Sequence, residues 1–259
     1  MSSQYPDNFV DRLELLWGPG FLSAGGPAEV REILAGVDVS GKSVLDIGCG
    51  TGGPAIVLAR DLGAATVTGI DLDEGLLSRA GRHATMAGTD NIAFRQGGAE
   101  RLDFADDTFD VVFSKEAIIQ IADKRQVFRE ALRVLRPGGV LAASDWLGGE
   151  NWAHSAEWRT FCDLTGWTSH LATSDEMLQL MEAAGFVRVA ARDRNAWYVG
   201  EKKRELALIE GPLREKITAI VGEEGHTHWL AVNHANFATV AVGALRPTHL
   251  RGHKAGRPS

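Results

Sequence analysis

Residues 44–53 read VLDIGCGTGG, an apolar run that breaks into a bend dominated by glycine. A glycine bend directly after a strand brings backbone N–H groups close to a ligand, and nucleotides commonly lie there. The spacing of Gly48, Gly50 and Gly53 fits G-x-G-x-x-G formally, which is weak evidence alone. The carboxylates around the bend discriminate further. Asp46 stands two positions before the first glycine, and Asp71 closes the next apolar run, TVTGIDL. A pyrophosphate would be repelled beside Asp46, whereas a cation would be favoured. A carboxylate at the place of Asp71 can take both hydroxyls of a ribose. A second set of chemical side chains, Glu116, Gln120 and Trp146, follows later apolar runs.

These residues need a scaffold that gathers them. From residue 43 to 147 short apolar runs alternate with amphipathic ones. Strands are expected at 43–48, 66–72, 91–97, 109–114 and 140–147, with helices at 52–63, 73–88 and 123–139 between them. The last helix is expected to stop at Pro137-Gly138-Gly139. Such alternation implies βαβ units around a mostly parallel sheet. Ligands then sit beyond the carboxyl ends of the strands, which collects Gly48–Gly52, Asp71, Gly98–Glu100, Ser114–Gln120 and Asp145–Trp146. After residue 147 the rhythm changes. A helical segment is expected at 148–170, a helix at 174–186 with Ser174 as N-cap, and a strand at 187–194. Helices at 200–222 and 228–241 and a last strand at 245–254 complete the chain.

The chain has 259 residues, 24% charged and 44% hydrophobic, with a net charge of −7. That is an ordinary globular composition, without the basic stripe of a nucleic-acid binder. No run approaches the length of a membrane span, and the start lacks the pattern of a signal peptide. The two cysteines, Cys49 and Cys162, read as reduced thiols in a cytoplasmic setting. No metal-ligand set and no nucleic-acid or membrane partner is expected.

S-adenosylmethionine carries a sulfonium, an ammonium and no phosphate, and suits an acid-flanked bend. VLDIGCGTGG, GIDLDE (69–74), FRQGGAERLDFADDTFDVVFS (94–114) and LRVLRPGGVLAASDW (132–146) together resemble the class I S-adenosylmethionine-dependent methyltransferases. The resemblance implies a doubly wound α/β fold: a mostly parallel seven-stranded sheet, an N-terminal helical lid and a helical insertion after the fifth strand. It divides the chain into a lid segment (1–42), a methyltransferase domain (43–254) with insertions near 148–173 and 200–241, and a tail (255–259). Gly48, Cys49 and Gly50 would lie along the methionine portion of the cofactor, with Asp46 and Lys115 nearby. Asp71 would hold the ribose, Leu72 would pack on adenine, and Ala99 would bond it through the backbone. The family's usual acid is missing at Gly98, which leaves Glu100 or water to take its place.

QYPDNFVDRLELLWGPGFLSAGG (4–26) is similar to the lid of the phosphoethanolamine N-methyltransferases. By that likeness Gln4, Tyr5, Leu22 and Ser23 would close the site. Those relatives carry an Asp at the position of Glu116, facing the substrate amine, and a His at that of Gln120, paired with the Tyr. Here the acid is kept, one methylene longer, and the His is absent. Trp146 stands for a substrate-facing Tyr. The residues that grip phosphate in those enzymes have no match in 164–177. Tyr5, Glu116 and Gln120 are therefore the catalytic candidates, and Glu116, Gln120 and Trp146 the substrate-facing ones. N-methylation of a small amine is the expected reaction. A C- or O-methyltransferase of a natural product is the alternative, and an NAD-binding oxidoreductase a remoter one. Six of the seven tryptophans lie from Trp146 onward. Their rings either cage an ammonium or fill the inserted helical layer, where His154, Trp158, Phe161 and Thr165 share a helical face.

Overall fold

The computed structural model describes residues 5–167 and 170–257. Gln4 lies outside the described residues. β1 (Ser43–Ile47), β2 (Thr66–Asp71), β3 (Ile92–Gln96), β4 (Phe109–Lys115), β5 (Leu135–Gly148), β6 (Val187–Asp193) and β7 (Leu245–His253) form one sheet in the order β3-β2-β1-β4-β5-β7-β6. β3, β2, β1, β4 and β5 pair in parallel, and β7 runs antiparallel between β5 and β6. β6 therefore points the same way as β5, so six strands end at one edge. The sheet is mixed through β7 alone.

Both faces are covered, which is why the central strands read as unbroken apolar runs. The period of two sends Val44, Val111 and Phe113 to one face, where they meet Val30, Ile33 and Leu58. Leu45, Ile47 and Val112 go to the other, where they meet Phe128, Met177 and Met181. The first layer is made by α2 (Gly26–Ile33) and α3 (Gly53–Ile56), which continues as a π-helical turn over Val57–Asp61. The second is made by α5 (Lys124–Val134) and α7 (Ser174–Ala184).

Several boundaries differ from those expected, each for a local reason. α5 stops at Val134, with Leu135 already extended at ψ 138°, and the following Arg136-Pro137 step keeps the helix from resuming. Its Arg-Pro-Gly-Gly sequel joins β5 and exchanges backbone bonds with Lys254 through Gly138 and Gly139. The helices expected at 200–222 and 228–241 are α8 (Asn195–Glu210) and α9 (Arg214–Ala241). Gly211-Pro212 separates them, and Gly222, at φ 76°, breaks α9 internally. The cap of α7 is Thr173 rather than Ser174, in a capping box with Glu176. In α6 (Ala156–Thr165) Trp158 and Phe161 are buried, but Thr165 and the preceding His154 are exposed, so the expected four-residue face is only half a core face.

The N-terminal α1 (Asp7–Trp17) packs Leu13 and Leu16 against Ile209, Ile217 and Trp229 of α8 and α9. Its acidic side chains latch onto α4 (Glu74–Met86), where Arg79 lies 2.6 Å from Asp11 and 3.3 Å from Glu14. Glu29 on α2 is buried between Arg194, at 2.8 Å, and His249 Nε2, at 2.6 Å. That pairing joins α2 to β7 and the start of α8. Removing one partner would strand a buried charge.

Phe128 is fully buried and meets Phe186 edge to face at 6.5 Å. Phe128→Ala should lower unfolding free energy by about 3–5 kcal/mol in urea denaturation, through lost transfer energy plus a cavity. A loss below about 1 kcal/mol would contradict this packing of α5 on the sheet.

Candidate active site

Each chemical group at the strand-end edge is placed by a short loop. β1 ends at Ile47, and Gly48 turns the chain at φ 70°. Its N–H and that of Cys49 both donate to Ile70 O on the neighbouring strand, at 2.9 Å. A Cβ on Gly48 would stand 2.2 Å from Ala117 Cβ, so the loop after β4 presses directly on the bend. Asp71 braces it from the other side: Oδ2 accepts from Gly50 N at 3.0 Å and Oδ1 from Asp73 N at 3.1 Å. Leu72, next in the chain, is 72% exposed. It leans over Gly98, where a Cβ would meet its Cδ2 at 3.4 Å. Ala99 is buried beside this apolar surface, and Glu100 is exposed, its backbone carbonyl taking a bond from Gln126.

Asp46 is 1% exposed, and neither of its carboxyl oxygens has a hydrogen-bond partner among the described residues. Burial, reinforced by the charge of Asp71, pushes its pKa up to about 8. The bend thus contains an acid that a nearby positive charge would ionise. Cys49 turns its sulfur inward against Gly69, and burial lifts its thiol well above the usual range, so it is a packing group and not a nucleophile.

Residues of the N-terminal segment meet this bend. Gly53 N donates to Gly20 O at 2.8 Å. Leu22 reaches within 3.1 Å of where a Gly50 Cβ would stand. Lys115 Nζ donates to Ser23 Oγ and lies 3.5 Å from Glu116 Oε1. Gln120 Nε2 donates to Tyr5 Oη at 2.8 Å, so residue 120 pairs with the tyrosine although it is not a histidine. Burial holds the Tyr5 phenol above its ordinary value, which keeps the proton on the oxygen at neutral pH.

Glu116 sits in the left-handed region at φ 57°, a conformation that a non-glycine residue adopts only when its surroundings impose it. Its N–H donates to Ser144 O at 2.7 Å. Asp145, fully buried, accepts from Ile119 N and Trp146 N, each at 2.8 Å. Lys124 fixes the other side of the loop through the carbonyls of Ile118, at 3.1 Å, and Ile121, at 2.7 Å. Burial raises the pKa of Glu116, against the opposing pull of Lys115 and then Lys202. Burial likewise brings Asp145 up to about 7.

Trp146 meets Tyr198 edge to face at 5.5 Å and Trp167 at 6.3 Å. The ammonium enclosed by these rings is the chain's own. Lys202 Nζ lies 5.5 Å from the ring centre of Trp17, 5.8 Å from Trp146 and 5.2 Å from Tyr198, and 2.7 Å from Glu205 Oε2. Trp158 and Trp229 are core residues. Neither Tyr198 nor Lys202 is among the expected site residues. Both follow β6, whose carboxyl end lies at the same edge as those of the first five strands. Extending the strand-end rule to the sixth strand would have reached Tyr198.

The family model described as methyltransferase domain matches residues 38–185. Phosphoethanolamine N-methyltransferase 3 of Arabidopsis thaliana is 31% identical over 85% of this chain, which spans 44% of that relative's length. Methyltransferase GfsG of Streptomyces halstedii is 35% identical over 79% of this chain and 72% of its own. Among solved structures, phosphoethanolamine N-methyltransferase 2 of Haemonchus contortus, in complex with phosphomonomethylethanolamine and S-adenosylhomocysteine, superimposes with a TM-score of 0.90. Its sequence identity is 22%, and the match covers 98% of this chain and 59% of that one. The chain belongs to the methyltransferase domain family and has the seven-stranded fold of the S-adenosylmethionine-dependent methyltransferases.

Proposed function

We propose that the protein methylates the nitrogen of a small amine at the expense of S-adenosylmethionine. The observation that carries this reading is Glu116, a mostly buried carboxyl group held in a strained backbone conformation against the cofactor bend. An acid fixed there can accept a hydrogen bond from an amine acceptor in addition to its contact with Lys115, whereas a carbon acceptor offers it nothing. The relatives named for phosphoethanolamine N-methylation support the same reaction type.

The residues present fit the cofactor. Asp46 offers an uncompensated buried acid, and Asp71 a carboxylate already aligned on the bend. Leu72 and Gly98 offer an apolar surface for a flat base. Gly48, Cys49, Gly50, Ala99 and Lys115 line the same edge, and Leu22 and Ser23 lie over it. Bound there, S-adenosylmethionine supplies a methyl group already activated on sulfur. The protein's contribution is to align the acceptor and exclude water. Glu116 holds the acceptor nitrogen, and Tyr5, bonded to Gln120, positions it from the lid side. The attacking amine must be neutral, and Gln120 cannot take a proton, so the proton leaves to solvent or to a distant base before transfer. A diphosphate dinucleotide is disfavoured by Asp46 and Asp71. No described helix is long and apolar enough to cross a membrane. The two free cysteines and the net charge of −7 support a cytoplasmic enzyme that does not act on nucleic acids.

With labelled cofactor, amines should accept the methyl group. Transfer only to phenols or quinones would overturn the nitrogen assignment. Gln120→His should raise the rate and add a pH dependence near the ordinary histidine pKa, about 6.5. An unchanged rate and profile would remove residue 120 from the chemistry.

Asp46 gives a second test. Its pKa in the folded protein lies near 8, above the unfolded value of about 3.9. The native state therefore retains a proton that the unfolded state has lost, and stability falls as pH rises from about 4 to about 8. Asp145, raised to about 7, acts in the same direction. Asp46→Asn should flatten part of that decline in melting temperature. Binding of the cationic cofactor at pH 7 should release up to about one proton, read by calorimetry in buffers of different ionisation heat, and Asp46→Asn should abolish the release. Equal proton release by both proteins would contradict the role given to Asp46.

A further inference from the structure

Two buried donors lie near Glu116. Trp146 Nε1 and Tyr198 Oη are both shielded from solvent and lack a hydrogen-bond partner among the described residues. Tyr198 as a whole is 1% exposed. Buried polar atoms of this kind ordinarily find a partner, so two adjacent orphans mark a place for a ligand atom. Their rings meet edge to face at 5.5 Å, and the indole N–H acts on the phenol without making a full hydrogen bond to it. Burial, followed by the nearby charge of Glu116, keeps the phenol protonated. Both groups are thus neutral donors on the Glu116 side of the pocket.

The charges around them limit what they can hold. Lys202 is 2.7 Å from Glu205, and Lys115 faces Ser23 and Glu116. Each of these cations already has an acidic neighbour. A doubly charged phosphate would enter with only neutral donors to meet it and would be poorly compensated. A hydroxyl or a single carboxylate needs no more than an N–H and an O–H.

We propose that Trp146 Nε1 and Tyr198 Oη bind an oxygen of the methyl acceptor while Glu116 holds its nitrogen. The acceptor is then a short amino alcohol or amino acid and not a phosphate ester. This rests on the nitrogen-methylation reading above.

The test is calorimetric titration of the full chain saturated with S-adenosylhomocysteine, using ethanolamine, sarcosine, phosphoethanolamine and propylamine. Ethanolamine or sarcosine should bind about tenfold more tightly than propylamine or phosphoethanolamine, and the stronger of the two tells hydroxyl from carboxylate. Tyr198→Phe and Trp146→Phe should each weaken that ligand about tenfold and leave propylamine unchanged, a difference that a merely structural defect would not produce. The proposal is overturned if phosphoethanolamine binds best, if either variant weakens propylamine equally, or if none of the four binds. The nitrogen-methylation reading fails separately, when an amine that binds receives no label from the cofactor.

Discussion

The structure depends on carboxyl groups buried at a glycine bend without enough positive charge to balance them. Asp71 spends its oxygens on the backbone of the bend and of the following turn. Asp46 has no partner at all among the described residues. A fold tolerates such a group in the interior by keeping it protonated, or by receiving a cation beside it. The same arrangement repels a diphosphate. On the proposed reading, cofactor choice is set at this sheet edge.

A second constraint fixes the reacting side of the pocket. The loop after β4 is anchored over Ile118–Ile121, by Asp145 through Ile119 N and by Lys124 through the carbonyls of Ile118 and Ile121. Gly48 leaves only enough room for Ala117 to pack against it. Just before these supports Glu116 takes a left-handed conformation, with its N–H bonded to Ser144 O. The N-terminal segment reaches the same region twice, through Ser23 to Lys115 and Tyr5 to Gln120. The acid, the bend and the N-terminal segment thus form one connected unit.

Much of this was legible in the sequence because it is local. Alternating apolar runs marked the strands, and the rule that ligands gather beyond strand ends put Gly48, Asp71, Glu116 and Trp146 at one edge. The likeness of residues 4–26 to a known lid brought Tyr5 to Gln120 across the whole length of the first half of the chain. What escaped depends on tertiary placement. Thr173 displaces Ser174 as a cap because its partner Glu176 lies at the right offset. The aromatic residues after Trp146 suggested a cage for a substrate ammonium, but Lys202 on α8 already occupies the space between three rings. Glu29 looks like a surface residue of an amphipathic helix, and only β7 and the start of α8 reveal its two buried partners. Tyr198 escaped because it follows β6, and the strand-end rule was confined to the alternating strands of residues 43–147.

The central claim is that the acid-flanked bend accepts a sulfonium nucleoside and rejects a dinucleotide. Isothermal titration of the full chain with S-adenosylmethionine, S-adenosylhomocysteine and NAD addresses it directly. The account predicts saturable binding of the two sulfur compounds, tighter for the cation-bearing one as pH rises through the range where Asp46 ionises, and no binding of NAD. Saturable binding of NAD with none of S-adenosylhomocysteine would contradict it.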